Sequence, residues 1–140
     1  MTRRVIVLIV TAFWWLLVWL FGGPGAGADW TRELLHRWFG LSGRSLDVAN
    51  ILVRKSGHVF YYGGLAALIA STLCAFGIAR FRSVRFAFLL TLATASFDEW
   101  RQTHYSTRTG TAFDLVYDAG GAAAALLLFW AVARRADSGR

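Results

Sequence analysis

Four apolar runs, at 5–21, 59–79, 86–97 and 119–133, each have arginine near at least one end, and they constrain this chain more than any other feature. A helix that crosses a bilayer needs about 20 predominantly apolar residues. The first two runs approach that length unaided. The third and fourth reach it only by continuing through neighbouring polar residues, 98–105 and 111–118, which brings charge into or close to a membrane. The expected fold is therefore all-α: an integral membrane bundle of four transmembrane helices with a short interfacial amphipathic helix after the first. The spans are expected at about 5–21, 56–79, 86–105 and 111–133 and the interfacial helix at about 29–39, in a single domain of 1–140.

Composition agrees with lipid as the solvent. Of 140 residues, 56% are hydrophobic and 16% charged, which fits a soluble domain poorly. A net charge of +7 can signal nucleic acid, but the arginines here adjoin apolar runs instead of making a basic face among polar residues. No nucleic-acid partner is expected, and the bilayer is. The single cysteine, Cys74, lies inside an apolar run, so neither a disulfide framework nor a cysteine metal site is available.

Arg3 and Arg4 ahead of the first run, with Ala26-Gly27-Ala28 before Asp29, have the layout of a secretory leader. The run of 17 residues exceeds the usual leader core, and it is read as a retained span. Within 29–39, Trp30, Leu34, Leu35, Trp38 and Phe39 fall on one half of a helical wheel and Arg32, Glu33, His36 and Arg37 on the other. Tryptophan favours the headgroup level, so this helix is expected at the interface, a lid over the polar residues being the alternative. Residues 41–50 read as a polar loop. The Ala and Gly residues of 119–125, with Gly63, Gly64 and Gly77, read as sites of close helix approach. Arg3, Arg4, Arg80, Arg82, Arg85, Arg134, Arg135 and Arg140 are dense in short segments, a positive-inside pattern that places both termini in the cytoplasm.

Depth along the helices decides whether the polar residues meet. At ~1.5 Å per residue, Asp98, Glu99 and Gln102 stand ~20 to 26 Å above Arg85, and Asp118 and Asp114 ~24 to 30 Å above Arg134. Tyr62 and His58 stand ~27 and ~33 Å above Arg80, with Lys55 one turn beyond. Residues three or four apart share a helix face, which gives three rows: Lys55, His58 and Tyr62; Asp98 or Glu99 with Gln102; Asp114, Asp118 and Gly121. The connecting loop adds His104, Tyr105, Ser106, Arg108 and Thr109. Carboxylates facing lipid are costly, so these acids should point inward and be paired, with Lys55, Arg108 and His58 as partners. His58, Asp98, Glu99 and Asp114 are the candidate catalytic residues, and Lys55, Tyr62, Gln102, Arg108 and Asp118 the candidate ligand-binding ones. An Asp-His-Glu metal site is a variant of the catalytic reading, but no His-x-x-x-His or His-x-x-Glu-His spacing supports it, and no metal or cofactor is expected. A structural ion-pair network that only fixes helix register is the competing reading. His36 and His104 read as interfacial side chains, and oligomeric state is open.

At these residues the sequence resembles the VanZ-like family of bacterial membrane proteins. That family's pattern is Lys-x-x-His, Asp-Glu-x-x-Gln, Arg, and Asp-x-x-x-Asn-x-x-Gly. Here it reads Lys55-Ser-Gly-His58, Asp98-Glu99-Trp-Arg-Gln102, Arg108, and Asp114-Leu-Val-Tyr-Asp118-Ala-Gly-Gly121. Order and spacing agree over about 50–125, with Asp118 where the family usually has Asn. The resemblance implies a multi-pass protein of the bacterial inner membrane and cell envelope, and the family's namesake lowers susceptibility to teicoplanin.

Two functional expectations follow. In the first, an outward-facing polar pocket binds a lipid headgroup or lipid-tailed glycopeptide, with Lys55 and Arg108 receiving a phosphate or carboxylate. In the alternative, the chain is an intramembrane enzyme acting on a lipid-linked substrate, with His58 as general acid or base oriented by Asp98 or Asp114. Ser56-Gly57-His58 is similar to a triplet of membrane lipid phosphatases, although the second histidine those enzymes carry after an arginine is absent. A proton-coupled path through the carboxylates is a third expectation and would need an oligomer.

Overall fold

A computed structural model describes residues 2–23, 25, 27–105 and 113–138, with side chains through residue 135. Five helices form: α1 (Arg3–Phe21), α2 (Ala28–Phe39), α3 (Gly43–Ala75), α4 (Arg80–Gln102) and α5 (Asp114–Ser138). The expectations that involve Ala26, Ser106, Arg108, Thr109 and Arg140 lie outside the described residues.

The expectation of four transmembrane helices is overturned. Among the described residues three helices are long and apolar enough to cross a membrane: α1, α3, and α5 over Asp114–Arg135. α4 has the length, with 23 residues, but not the composition. Arg80, Arg82 and Arg85 occupy one end and Asp98, Glu99 and Arg101 the other, so the apolar stretch between them is only ~18 Å long against a hydrocarbon core of ~30 Å.

The interfacial helix after the first span is corrected as well. α1 is itself one of the three membrane-length helices, and α2, which follows it, packs along α3. Thr31 and Leu35 of α2 are buried, as are Leu46 and Asn50 of α3, while an Arg32–Asp47 ion pair joins the two helices at the surface. The apolar half of the α2 wheel is thus divided: Leu35 turns inward, and Trp38 and Phe39 stay exposed. The polar loop expected at 41–50 is instead the first part of α3, which starts at Gly43 and is ~50 Å long. Leu46 and Asn50 are one helical turn apart, and that short stripe is all the stretch offers as a helix signal.

Small residues fill the interior. One buried cluster contains Ala66, Ala70, Ala87, Ala122 and Leu126, and another Val18, Tyr62, Leu65 and Ala95. Large apolar side chains point outward instead, as with Leu8, Ile9, Phe13, Trp15, Leu16 and Leu20 on α1. Water would penalise such a surface, whereas lipid does not, and small residues let membrane helices approach closely. The chain is a helical bundle consistent with a membrane protein.

α3 is the hub and contacts each of the other four helices. It runs parallel to α5, because Lys55, His58 and Gly63 meet Asp114, Asp118 and Gly121 in that order. It runs antiparallel to α1, where Thr11 meets Thr72 (2.8 Å) and the Trp14 indole N–H donates to the Tyr61 carbonyl (2.9 Å). The α3–α5 contact is backbone on backbone: a Cβ on Gly121 would lie 2.3 Å from the Val59 oxygen, and one on Gly63 would lie 2.9 Å from the Gly121 oxygen. Gly64 makes similar room for the Trp14 ring. Gly77, expected as a packing site, instead takes φ 89° in the turn between α3 and α4, and nothing packs on it. At the end of the bundle away from the acids, Arg80 and Arg134 lie over the Trp130 ring, which ties the start of α4 to the end of α5.

The α3–α5 crossing makes a stability prediction. Gly121→Ala should destabilise the bundle by about 1–3 kcal/mol, since backbone cannot yield as a side chain can. Gly120→Ala, whose added carbon meets nothing within 4 Å, should be neutral or slightly stabilising. Thermal unfolding of the two variants in detergent checks the difference, and equal midpoints would refute the close crossing.

Candidate functional site

The crossing that brings Gly63 and Gly121 together also sets the rows above it in register. One turn up, His58 Nδ1 lies 2.8 Å from Asp118 Oδ1, and a further turn up the Lys55 ammonium bonds Asp114. Asp118 is fully buried and Asp114 nearly so, whereas the Lys55 side chain is 30% exposed and lies over the Tyr117 ring. A carboxylate only accepts, so Asp118 fixes the proton of a neutral His58 on Nδ1 and leaves a lone pair on Nε2. The second oxygen of Asp118 is enclosed and accepts no hydrogen bond among the described residues.

α4 contributes the other half. Asp98 accepts from the Tyr62 hydroxyl (3.1 Å), from Gln102 Nε2 (2.7 Å) and from Arg101 Nη2 (2.5 Å). The spacings within α4, three and four residues, place all of these on one face. Arg101 also donates to the Trp19 carbonyl (2.8 Å) and lies over the Trp19 ring, which ties the end of α1 to this acid. Gly22 completes the tie, since a Cβ there would fall 2.3 Å from an Asp98 oxygen. Glu99, next along α4, is buried. One nitrogen of His58 and one carboxylate oxygen each of Glu99 and Asp114 lie within 4.8 Å of one another.

Eight of the nine sequence-derived site residues thus converge: Lys55, His58, Tyr62, Asp98, Glu99, Gln102, Asp114 and Asp118. The ninth, Arg108, lies outside the described residues. Their partnerships differ from those expected. Asp118, not Asp98 or Asp114, holds His58, and Tyr62 and Gln102 serve Asp98. His36 and His104 sit apart, exposed and bonded to the carbonyls of Leu41 and Trp100. Sequence reading missed Arg101, whose i, i+3 spacing from Asp98 was its only signal, and it missed Trp19 and Gly22, for which there was none.

A cavity of about 330 Å³ opens beside the cluster. His58, Tyr62, Asp98 and Gln102 line its polar part, Val18 and Phe21 of α1 and Trp30, Leu34 and Leu35 of α2 its apolar part, and Arg54 its margin. α2 therefore covers the site, the alternative weighed for it from sequence. A second, more apolar cleft of about 540 Å³ lies between α1 and α4, lined by Trp15, Trp19, Leu90 and Phe97, and also reaches Asp98 and Arg101.

Four buried carboxylates, Asp98, Glu99, Asp114 and Asp118, share this end of the bundle, and among the described residues Lys55 and Arg101 are the cations bonded to them. Removing one partner of such a pair strands a buried charge. Arg101→Met should cost about 3 kcal/mol, and adding Asp98→Asn should restore most of it because the amide needs no cation. Denaturant unfolding of the single and double variants measures the recovery, and a purely additive double variant would refute the coupling.

Comparison of the chain with protein-family models, with curated proteins and with solved structures finds no match.

Proposed function

We propose that this is a membrane enzyme whose acid/base group is His58, oriented by Asp118, and whose substrate is lipid-linked. The observation that carries the reading is the His58–Asp118 pair at 2.8 Å, buried beside Glu99 and Asp114 and open to a cavity. The pair supplies what general acid/base catalysis asks of an imidazole: a fixed tautomer, a free lone pair and a carboxylate that stabilises the imidazolium once formed. The lining of the cavity suits a molecule with an apolar tail and a polar head. The cleft between α1 and α4 offers such a molecule a sideways route to Asp98 and Arg101.

Headgroup capture by Lys55 and Arg108, the other expectation, has less support: Lys55 is committed to Asp114, and Arg108 lies outside the described residues. The motifs similar to the VanZ-like family support a setting in the bacterial cell envelope, with both termini in the cytoplasm.

Reconstitution into liposomes of bacterial lipid extract, followed by mass spectrometry of the lipids, tests the proposal. The wild-type chain should convert a lipid species over time. His58→Gln should lower the rate by about 10²–10⁴-fold, and Asp118→Asn should lower it through loss of the tautomer, with helical content unchanged in both. A wild-type chain that alters no lipid, or a His58→Gln variant as active as wild type, would overturn it.

A further inference from the structure

We propose that His58, Glu99 and Asp114 bind a divalent transition-metal ion, with Asp118 as the outer carboxylate that orients His58. This goes beyond the acid/base reading: the Nε2 lone pair of His58 serves either a proton or an ion, so a bound metal takes the place of the free base. α3, α4 and α5 each supply one donor, and the three donor atoms already lie within 4.8 Å of one another. Two are buried carboxylates, and Asp118 holds the histidine through Nδ1, leaving Nε2 for an ion. A ligating histidine whose other nitrogen is tied to a carboxylate is the usual outer arrangement of a metal site. The enclosed second oxygen of Asp118, without a hydrogen bond among the described residues, is a further sign of negative charge awaiting a cation.

An imidazole among the donors favours a transition ion such as zinc over magnesium and calcium, which prefer all-oxygen shells. Three protein ligands leave a coordination position open.

Lys55 sets the condition for binding. In a tetrahedral shell with bonds of about 2.1 Å the donors stand about 3.4 Å apart, so the present spread must close by up to about 1.4 Å. The Lys55 ammonium occupies Asp114 while lying over the Tyr117 ring, and its side chain is the most exposed member of the cluster, so its way off Asp114 leads to the surface. Lysine and metal therefore compete for Asp114, and the lysine holds the charge of the site when the metal is away.

The full chain, purified in detergent without a histidine tag and stripped with chelator, is titrated with Co²⁺ and then Zn²⁺. One Co²⁺ per chain should bind with ligand-field absorption in the visible range and be displaced by Zn²⁺. His58→Ala should weaken binding by at least about tenfold and Asp118→Asn by about 10–100-fold, whereas Lys55→Met should strengthen it by removing the competitor. Absence of stoichiometric Co²⁺ binding in both folded wild type and folded Lys55→Met overturns the proposal, as does uptake unchanged by His58→Ala. The two readings separate in proteoliposomes: lipid conversion in chelator that saturating Zn²⁺ leaves unchanged overturns the metal site alone, and stoichiometric metal binding by a chain that converts no lipid in chelator supports the site while overturning the acid/base reading.

Discussion

The backbone contact between α3 and α5 is the constraint on which the polar site depends. Two parallel helices touch at Gly63 and Gly121 closely enough to exclude a side chain. The neighbouring turns are then near enough for short acids to reach their partners: Asp118 meets His58, and Asp114 meets the longer Lys55. Had larger residues held the helices farther apart, an aspartate would not span the gap, and each acid would be a buried unpaired charge. The alanine-lined core below, with Ala66, Ala70 and Ala122, extends the same close approach down the bundle.

α4 and α1 complete the site by a different means. α4 is too charged at its ends to qualify as a span by composition, and that charge is its contribution, since Asp98, Glu99 and Gln102 all lie on its buried face. α1 carries none of the candidate catalytic residues, yet its end reads the state of Asp98 through Trp19, Gly22 and the shared Arg101. Among the described residues Asp98 accepts hydrogen bonds from three side chains, and through them it aligns Tyr62 and Gln102 along the cavity wall.

Much of the site was legible because helical spacing and depth are additive along a sequence. Lys55, His58 and Tyr62 had to share a face, and the distance from the arginines at the far end had to bring them level with Asp98 and Asp118. What was not legible was which group meets which across helices, because a turn of rotation about a helix axis leaves both spacing and depth unchanged. Asp118 therefore displaced Asp98 and Asp114 as the partner of His58. A three-helix donor set leaves no local motif either: depth put His58, Glu99 and Asp114 at one level, but no spacing rule could say that they meet. The span count failed for a related reason: extending the apolar core of α4 through its acids gave the length of a span but not its composition. The reading of α2 failed because a wheel shows amphipathicity without showing that α3 begins early enough to receive its inner face.

Asp118 shows how one side chain converts this geometry into chemical direction. An amide at that position could offer His58 either its oxygen or its NH₂, so Nδ1 could be donor or acceptor and Nε2 correspondingly acidic or basic. A carboxylate removes the choice. It accepts only, the Nδ1 proton is fixed, and Nε2 keeps its lone pair for a proton or an ion. The same carboxylate adds a buried charge beside Asp114, which gives the Lys55 ammonium on Asp114 a part in the electrostatics of the site as well as in its stability.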